Sequence, residues 1–108
     1  MAFQVEEYAY ELIGMLQPLV ARVRHRDKSL ADQLTRAASS VALNIAESNY
    51  SDPGNKRSRL FTAAGSANET RAALRVAIAW SYFTPAEAKA ALALVDRIIA
   101  ILWSLTKR

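Results

Sequence analysis

Cysteine is absent from this chain of 108 residues, and with it go disulfides, thiolate metal ligands and cysteine nucleophiles. That usage fits a reducing compartment, and the cytoplasm is the expected location. Histidine occurs once, at His25 between Arg24 and Arg26, a setting that suits exposed surface. No nucleophile and orienting acid stand beside it, as general-base work would require. Ser39 and Ser40 likewise lack a lysine or histidine at an activating spacing. Gly14, Gly54 and Gly65 are isolated, so no glycine-rich phosphate loop or dinucleotide fingerprint can be drawn. Long apolar runs are also missing. The charge-free stretch Val76 to Phe83 falls far short of the roughly 20 residues that a membrane-spanning helix needs. The opening segment, with Glu6 and Glu7, lacks the basic-then-apolar order of a signal peptide. No stretch has the composition of a linker, so one domain is expected over residues 1–108. That length buries roughly two thirds of the unfolded surface.

No segment alternates with a period of two, which argues against a sheet. What is present is helical periodicity, and it predicts an all-α, antiparallel up-and-down four-helix bundle. Val5, Tyr8, Leu12, Met15, Leu16, Leu19 and Val23 recur three and four apart, as one buried helix face requires. Pro18 interrupts this helix and predicts a kink near Gly14, since it cannot donate to the carbonyl four residues back. Ser29 is the expected cap of a second helix. The segment from Tyr50 to Asn55, with Pro53 and Gly54, reads as a loop. Thr84, Pro85 and Glu87 form a capping box with proline at the first helical position. The predicted helices cover residues 4–24, 29–49, 56–81 and 85–106. Their core comprises Leu12, Leu16, Leu34, Val41, Ile45, Leu60, Leu74, Ile78, Leu92, Val95, Ile99 and Leu102. Alanines on the last three helices allow close approach of the axes. Trp80, Tyr82 and Phe83 are expected to close the core at the third corner.

The fourth helix carries an apolar arc of roughly 200 degrees, wider than a bundle interior usually consumes. Leu94, Ile98, Ile101 and Leu105 are therefore expected to form a strip that seeks a second copy of the chain.

The most organised polar feature lies on the second helix. Gln33, Arg36, Ser40, Asn44 and Glu47 share one stripe, and Ser66 and Glu69 stand on the alanine-rich third helix. The expected outcome is an interhelical network, such as Asn44 with Glu69, or Arg36 with Glu47 or Glu69 of a neighbour, that sets helix register. The competing reading is a solvent-facing recognition strip. Metal binding in such bundles calls for several inward glutamates and a Glu-x-x-His pair, which the chain does not contain. No catalytic residue, metal or cofactor is expected.

The net charge of +4 is uneven. Glu6, Glu7 and Glu11 precede any base. Arg22, Arg24, Arg26 and Lys28 gather at the first corner, and Lys56, Arg57 and Arg59 open the third helix. Such asymmetry attracts a polyanion through counterion release. Against that, no arginine cluster is interleaved with aromatics in sequence, and the two groups belong to opposite ends of a bundle.

The run Leu30-Ala-Asp-Gln33-Leu-Thr-Arg36-Ala-Ala-Ser-Ser40-Val-Ala-Leu-Asn44-Ile-Ala-Glu47-Ser48 resembles the signature of the bacterial four-helix-bundle proteins encoded in 23S rRNA intervening sequences. Phe61-Thr-Ala-Ala-Gly65-Ser66-Ala-Asn68-Glu69-Thr70 is similar to that family's second motif. The chain departs from the pattern in carrying Ser48 and Asn49 where glycine is common, and Leu30 and Ala31 where an aromatic is expected. The resemblance implies a left-handed antiparallel bundle assembled as a homopentamer, with no established enzymatic activity. It carries over Asn44, Glu47 and Glu69 as a shared polar core or interface. A distantly related group acts beside the reverse transcriptase of diversity-generating retroelements. The functional expectation is a non-enzymatic oligomeric binding module that contacts RNA, DNA or a nucleic-acid-processing enzyme. The alternative is a protein–protein scaffold. Its partners are then a second copy of itself, RNA or DNA, or another protein, and not a membrane.

Overall fold

The computed structural model describes residues 2–107. It contains four helices, α1 (Ala2–Arg24), α2 (Lys28–Ser48), α3 (Pro53–Ala79) and α4 (Pro85–Thr106), and no strand among the described residues. The helices pack side by side in chain order, and α4 also lies against α1.

Local chemistry sets the helix ends. Asp27, not Ser29, caps α2: its Oδ1 accepts the Leu30 amide at 2.9 Å. A carboxylate at a helix start satisfies an orphan amide and favours the positive end of the peptide dipoles, so the helix begins earlier than expected. The third helix also begins early, at Pro53 rather than near residue 56. Proline at the first helical position loses no hydrogen bond, and Asp52 caps the turn by accepting the Asn55 amide at 3.0 Å. The expected box at α4 is formed in full, with the Thr84 amide donating to Glu87 at 2.8 Å and the Glu87 amide to the Thr84 hydroxyl at 3.2 Å. Pro18 lies inside a continuous α1.

All four helices contribute to one core, in which Leu12, Leu34, Val41, Ile45, Leu74, Val95, Ile98 and Leu102 have essentially no exposure. Of the predicted core positions, Ile78 and Leu92 are only half-buried at its edge. The apolar strip expected on the outside of α4 requires correction. Leu94 and Ile98 are buried within this chain, and Ile101 and Leu105 are half-buried against the same core. Because α4 packs on both α1 and α3, the chain's own neighbours take up its wide apolar arc. The surplus sits instead on α3, whose outward side shows Phe61, Gly65, Ala72, Val76 and Ala79.

The α1–α2 and α3–α4 connections meet. Tyr82 donates its hydroxyl to Asp27 Oδ2 at 3.1 Å, and Arg22 is ion-paired with Glu87. At the other end of α2, Asn49 donates to Glu6 of α1 at 2.6 Å. No helix among the described residues is long and apolar enough to cross a membrane.

Candidate functional site

Two groups of polar residues stand out, a seam between α2 and α3 and the paired connections at one end.

Along the seam, alanines on both helices leave room only for short polar side chains. Ser40 and Ser66 share a hydrogen bond at 2.8 Å. Asn44 donates to the Ser40 carbonyl at 2.9 Å and to its hydroxyl at 3.1 Å. Farther out, Arg59 pairs with Glu47 at 2.9 Å and reaches Asn44 Oδ1 at 3.5 Å. The stripe thus splits. Ser40, Asn44, Ser66 and Glu47 join one chain of contacts, whereas Gln33, Arg36 and Glu69 are exposed and take no hydrogen bond or salt bridge among the described residues. Neither glutamate is interior: Glu47 keeps 55% of its side-chain exposure, and Glu69 is exposed. Charge is costly to bury without full partnering, and this seam is too tightly filled by small residues to offer that. The expected pair Asn44–Glu69 does not form within the chain. Arg59, expected to face a polyanion, is the residue that completes the seam.

Fully buried polar side chains are few and satisfied locally. Ser48 donates to the Ile45 carbonyl at 2.6 Å, Thr70 to Ser66 at 2.8 Å and Thr106 to Trp103 at 3.1 Å. Among the described residues no buried side-chain donor or acceptor lacks a partner, and no cluster of His, Asp and Glu has the grouping of a metal site. The grooves are open surface features. One of about 340 Å³ runs between α1 and α2, over Ile13, Gly14, Val20, Leu34 and Ala38.

At the paired connections the basic residues are partly engaged. Arg24 bonds Asp32 at 2.8 Å, and this hydrogen bond holds the Asp32 carboxyl below its ordinary range. Glu87 is also held low, first by its bond from the Thr84 amide and then by Arg22. Arg26 lies over the Tyr82 ring, 5.5 Å from its centroid. Burial and then the bond to Asp27 push the Tyr82 hydroxyl up. Lys28 is exposed and makes no salt bridge among the described residues. The aromatics expected to close the core divide. Phe83 is buried and Tyr82 half-buried, but Trp80 is 65% exposed. Ser81 between them has φ 61°, a left-handed conformation uncommon outside glycine and asparagine.

The second basic group lies at the start of α3. Lys56 is exposed, and Arg57 stands over Phe61 at 5.5 Å. A third such contact sets Arg97 over Tyr8 at 4.8 Å. Arg26–Tyr82 and Arg97–Tyr8 join residues far apart in the chain, whereas Arg57 and Phe61 lie one helical turn apart. The Arg26–Tyr82 contact spans two connections far apart in the chain, and no local motif announces it.

The protein family described as 23S rRNA-intervening sequence protein matches residues 3–104. No curated protein sequence matches the chain. Among solved structures, the chain is similar to a crystal structure of a protein of unknown function from the S23 ribosomal protein family of Bacteroides thetaiotaomicron VPI-5482. The TM-score is 0.89 at 22% identity, over 96% of this chain and 99% of the other. At that identity the likeness concerns the fold.

Proposed function

The chain belongs to the 23S rRNA-intervening sequence protein family, and from that premise we propose a non-enzymatic, self-associating binding module whose basic surfaces contact nucleic acid or an enzyme that processes it. In this reading residues 1–108 form one domain. Its four helices run antiparallel, up and down, as contacts at the two ends of α2 support. Five copies close into a ring, the assembly that the family resemblance implies.

The observation that carries the reading is the set of exposed cations left over after internal pairing. Lys28, Arg36, Lys56, Arg75, Lys89 and Lys107 are exposed, and none closes a salt bridge among the described residues. A phosphate contact is weak and salt-sensitive by itself, so a ring repeating +4 per chain would gain affinity through multivalency.

A protein–protein scaffold is the second reading, favoured by the outward apolar residues of α3. Exposed apolar residues gathered on one side of a helix, here interrupted by the exposed Glu69, are a surface that can seat a partner.

The discriminating measurement titrates single- and double-stranded RNA and DNA at about 50 and about 200 mM salt. It compares the wild type with a Lys28→Ala/Arg36→Ala/Lys56→Ala/Arg75→Ala variant. Binding that falls steeply with salt and is lost in the variant supports the module. No binding at the lower salt, in a sample whose light-scattering mass exceeds one 11.9 kDa chain, overturns it in favour of the scaffold. A monodisperse monomer overturns the assembly.

A further inference from the structure

We propose that the end of the molecule formed by the α1–α2 and α3–α4 connections is a single-stranded nucleic-acid site, with Trp80 as the stacking platform and Arg26 and Lys28 beside it for phosphate. This rests on the binding-module reading above and assigns it a place and a substrate class.

Three observations meet at that end. First, Trp80 is the C-cap of α3 and keeps 65% of its surface in solvent. An indole so displayed is a large apolar face without an intramolecular partner. Continuing the α2–α3 register set by Ser40–Ser66 and Glu47–Arg59 places Trp80 level with the α1–α2 connection. Second, Tyr82 is held rigidly, bonded to Asp27 and covered by the Arg26 guanidinium. The first basic corner is thereby fixed against the aromatic one. Third, the acids at this end are occupied. Asp27 caps α2 and accepts from Tyr82, Asp32 pairs with Arg24, and Glu87 pairs with Arg22. With these carboxylates already paired, they oppose a phosphate held by Arg26 and Lys28 less than free ones would.

Basic groups alternating with exposed aromatic faces are what single-strand binding uses, because unpaired bases stack and a duplex keeps its faces covered. The opposite end also sets an arginine, Arg57, over an exposed aromatic, Phe61, but there acids crowd the bases. Its cations share the surface with Glu6, Glu7 and Glu47, and its most exposed aromatic, Tyr50, lies close enough to Tyr10 to act on its hydroxyl alongside Glu6 and Glu7.

The test uses full-length Trp103→Phe protein, which leaves Trp80 as its single tryptophan. It is titrated with oligo(dT), oligo(U) and a DNA duplex of about 12 nucleotides. Anisotropy of labelled strands reports binding, and tryptophan emission reports stacking. The expected result is quenching of Trp80 by the single strands, little by the duplex, and about 5- to 150-fold weaker single-strand binding after Trp80→Ala, with circular dichroism unchanged. Arg26→Ala/Lys28→Ala should weaken binding and flatten its salt dependence. Binding by anisotropy without quenching, or unchanged affinity in Trp80→Ala, overturns the proposal and leaves the broader module standing. Equal affinity for duplex does the same. A drop in assembly mass on Trp80→Ala would assign the indole to self-association and also overturn it. No binding to any strand removes both readings together.

Discussion

Replacing Ile98 by alanine tests the orientation of α4 directly. Ile98 was expected on an outward strip for self-association, and the structure buries it completely. Alanine lacks three of its side-chain carbons, worth roughly 2.4 kcal/mol at about 0.8 kcal/mol per buried carbon. The space left behind adds about 1 kcal/mol or more, because close-packed neighbours collapse only in part. The expected loss is therefore about 3–4 kcal/mol. With a urea slope of about 1.5–2 kcal/mol per molar for a domain this size, the midpoint should fall by about 2 M. Leu43→Ala, at a position 62% exposed, serves as the comparison and should change stability by no more than about 0.5 kcal/mol. Each curve should be measured at several protein concentrations, since association makes stability depend on them. An Ile98→Ala midpoint no lower than that of Leu43→Ala, together with a reduced assembly mass, would show that Ile98 serves an interface between copies. The placement of α4 would then be refuted.

Thr84→Ala removes the hydroxyl that accepts the Glu87 amide and should cost about 1 kcal/mol by thermal melting. Gly65→Ala adds a Cβ where nothing lies within 4 Å, inside a helix, and should stabilise by about 0.5–1 kcal/mol in urea titrations. Asp32 and Glu87 are held below their ordinary values of 3.8 and 4.5, so they bind fewer protons folded than unfolded. Their contribution is fully present above those values and fades as pH falls through the lower folded-state ones. Melting temperatures taken in steps from neutral pH downward should decline in that acid window, and less steeply in Arg24→Ala, which removes the main cause acting on Asp32.

The helices were legible because their signals are local. Apolar spacing in α1 and α2 and the Thr84–Glu87 box depend on neighbours within one turn, and all appear where the sequence places them. The start of α2 was misread because Asp27 and Ser29 are both competent caps, and choosing between them depends on what else the carboxylate touches. The fate of the α4 strip was not legible for a different reason. A helical wheel shows how wide an apolar arc is, not how many neighbouring helices cover it. The stripe on α2 was legible as a stripe but not as a set of partners. Which members pair follows from the register against α3, and so Ser40 and Ser66 meet while Glu69 misses Asn44 by facing solvent. Arg26 against Tyr82 lies beyond local reasoning altogether, since it follows from two connections meeting.

Asp27 serves two masters with its two carboxylate oxygens. One closes the first turn of α2 on the Leu30 amide, and the other accepts from Tyr82, a residue 55 positions later in the chain. Fraying of α2 and release of the α3–α4 connection are consequently linked openings rather than separate ones. Hydrogen exchange at the Leu30 amide should report on the state of the distant tyrosine, quickening in Tyr82→Phe although the helix itself is untouched. A ligand that grips the α3–α4 connection would slow the same amide, so the start of the second helix becomes a gauge for what happens at the start of the fourth.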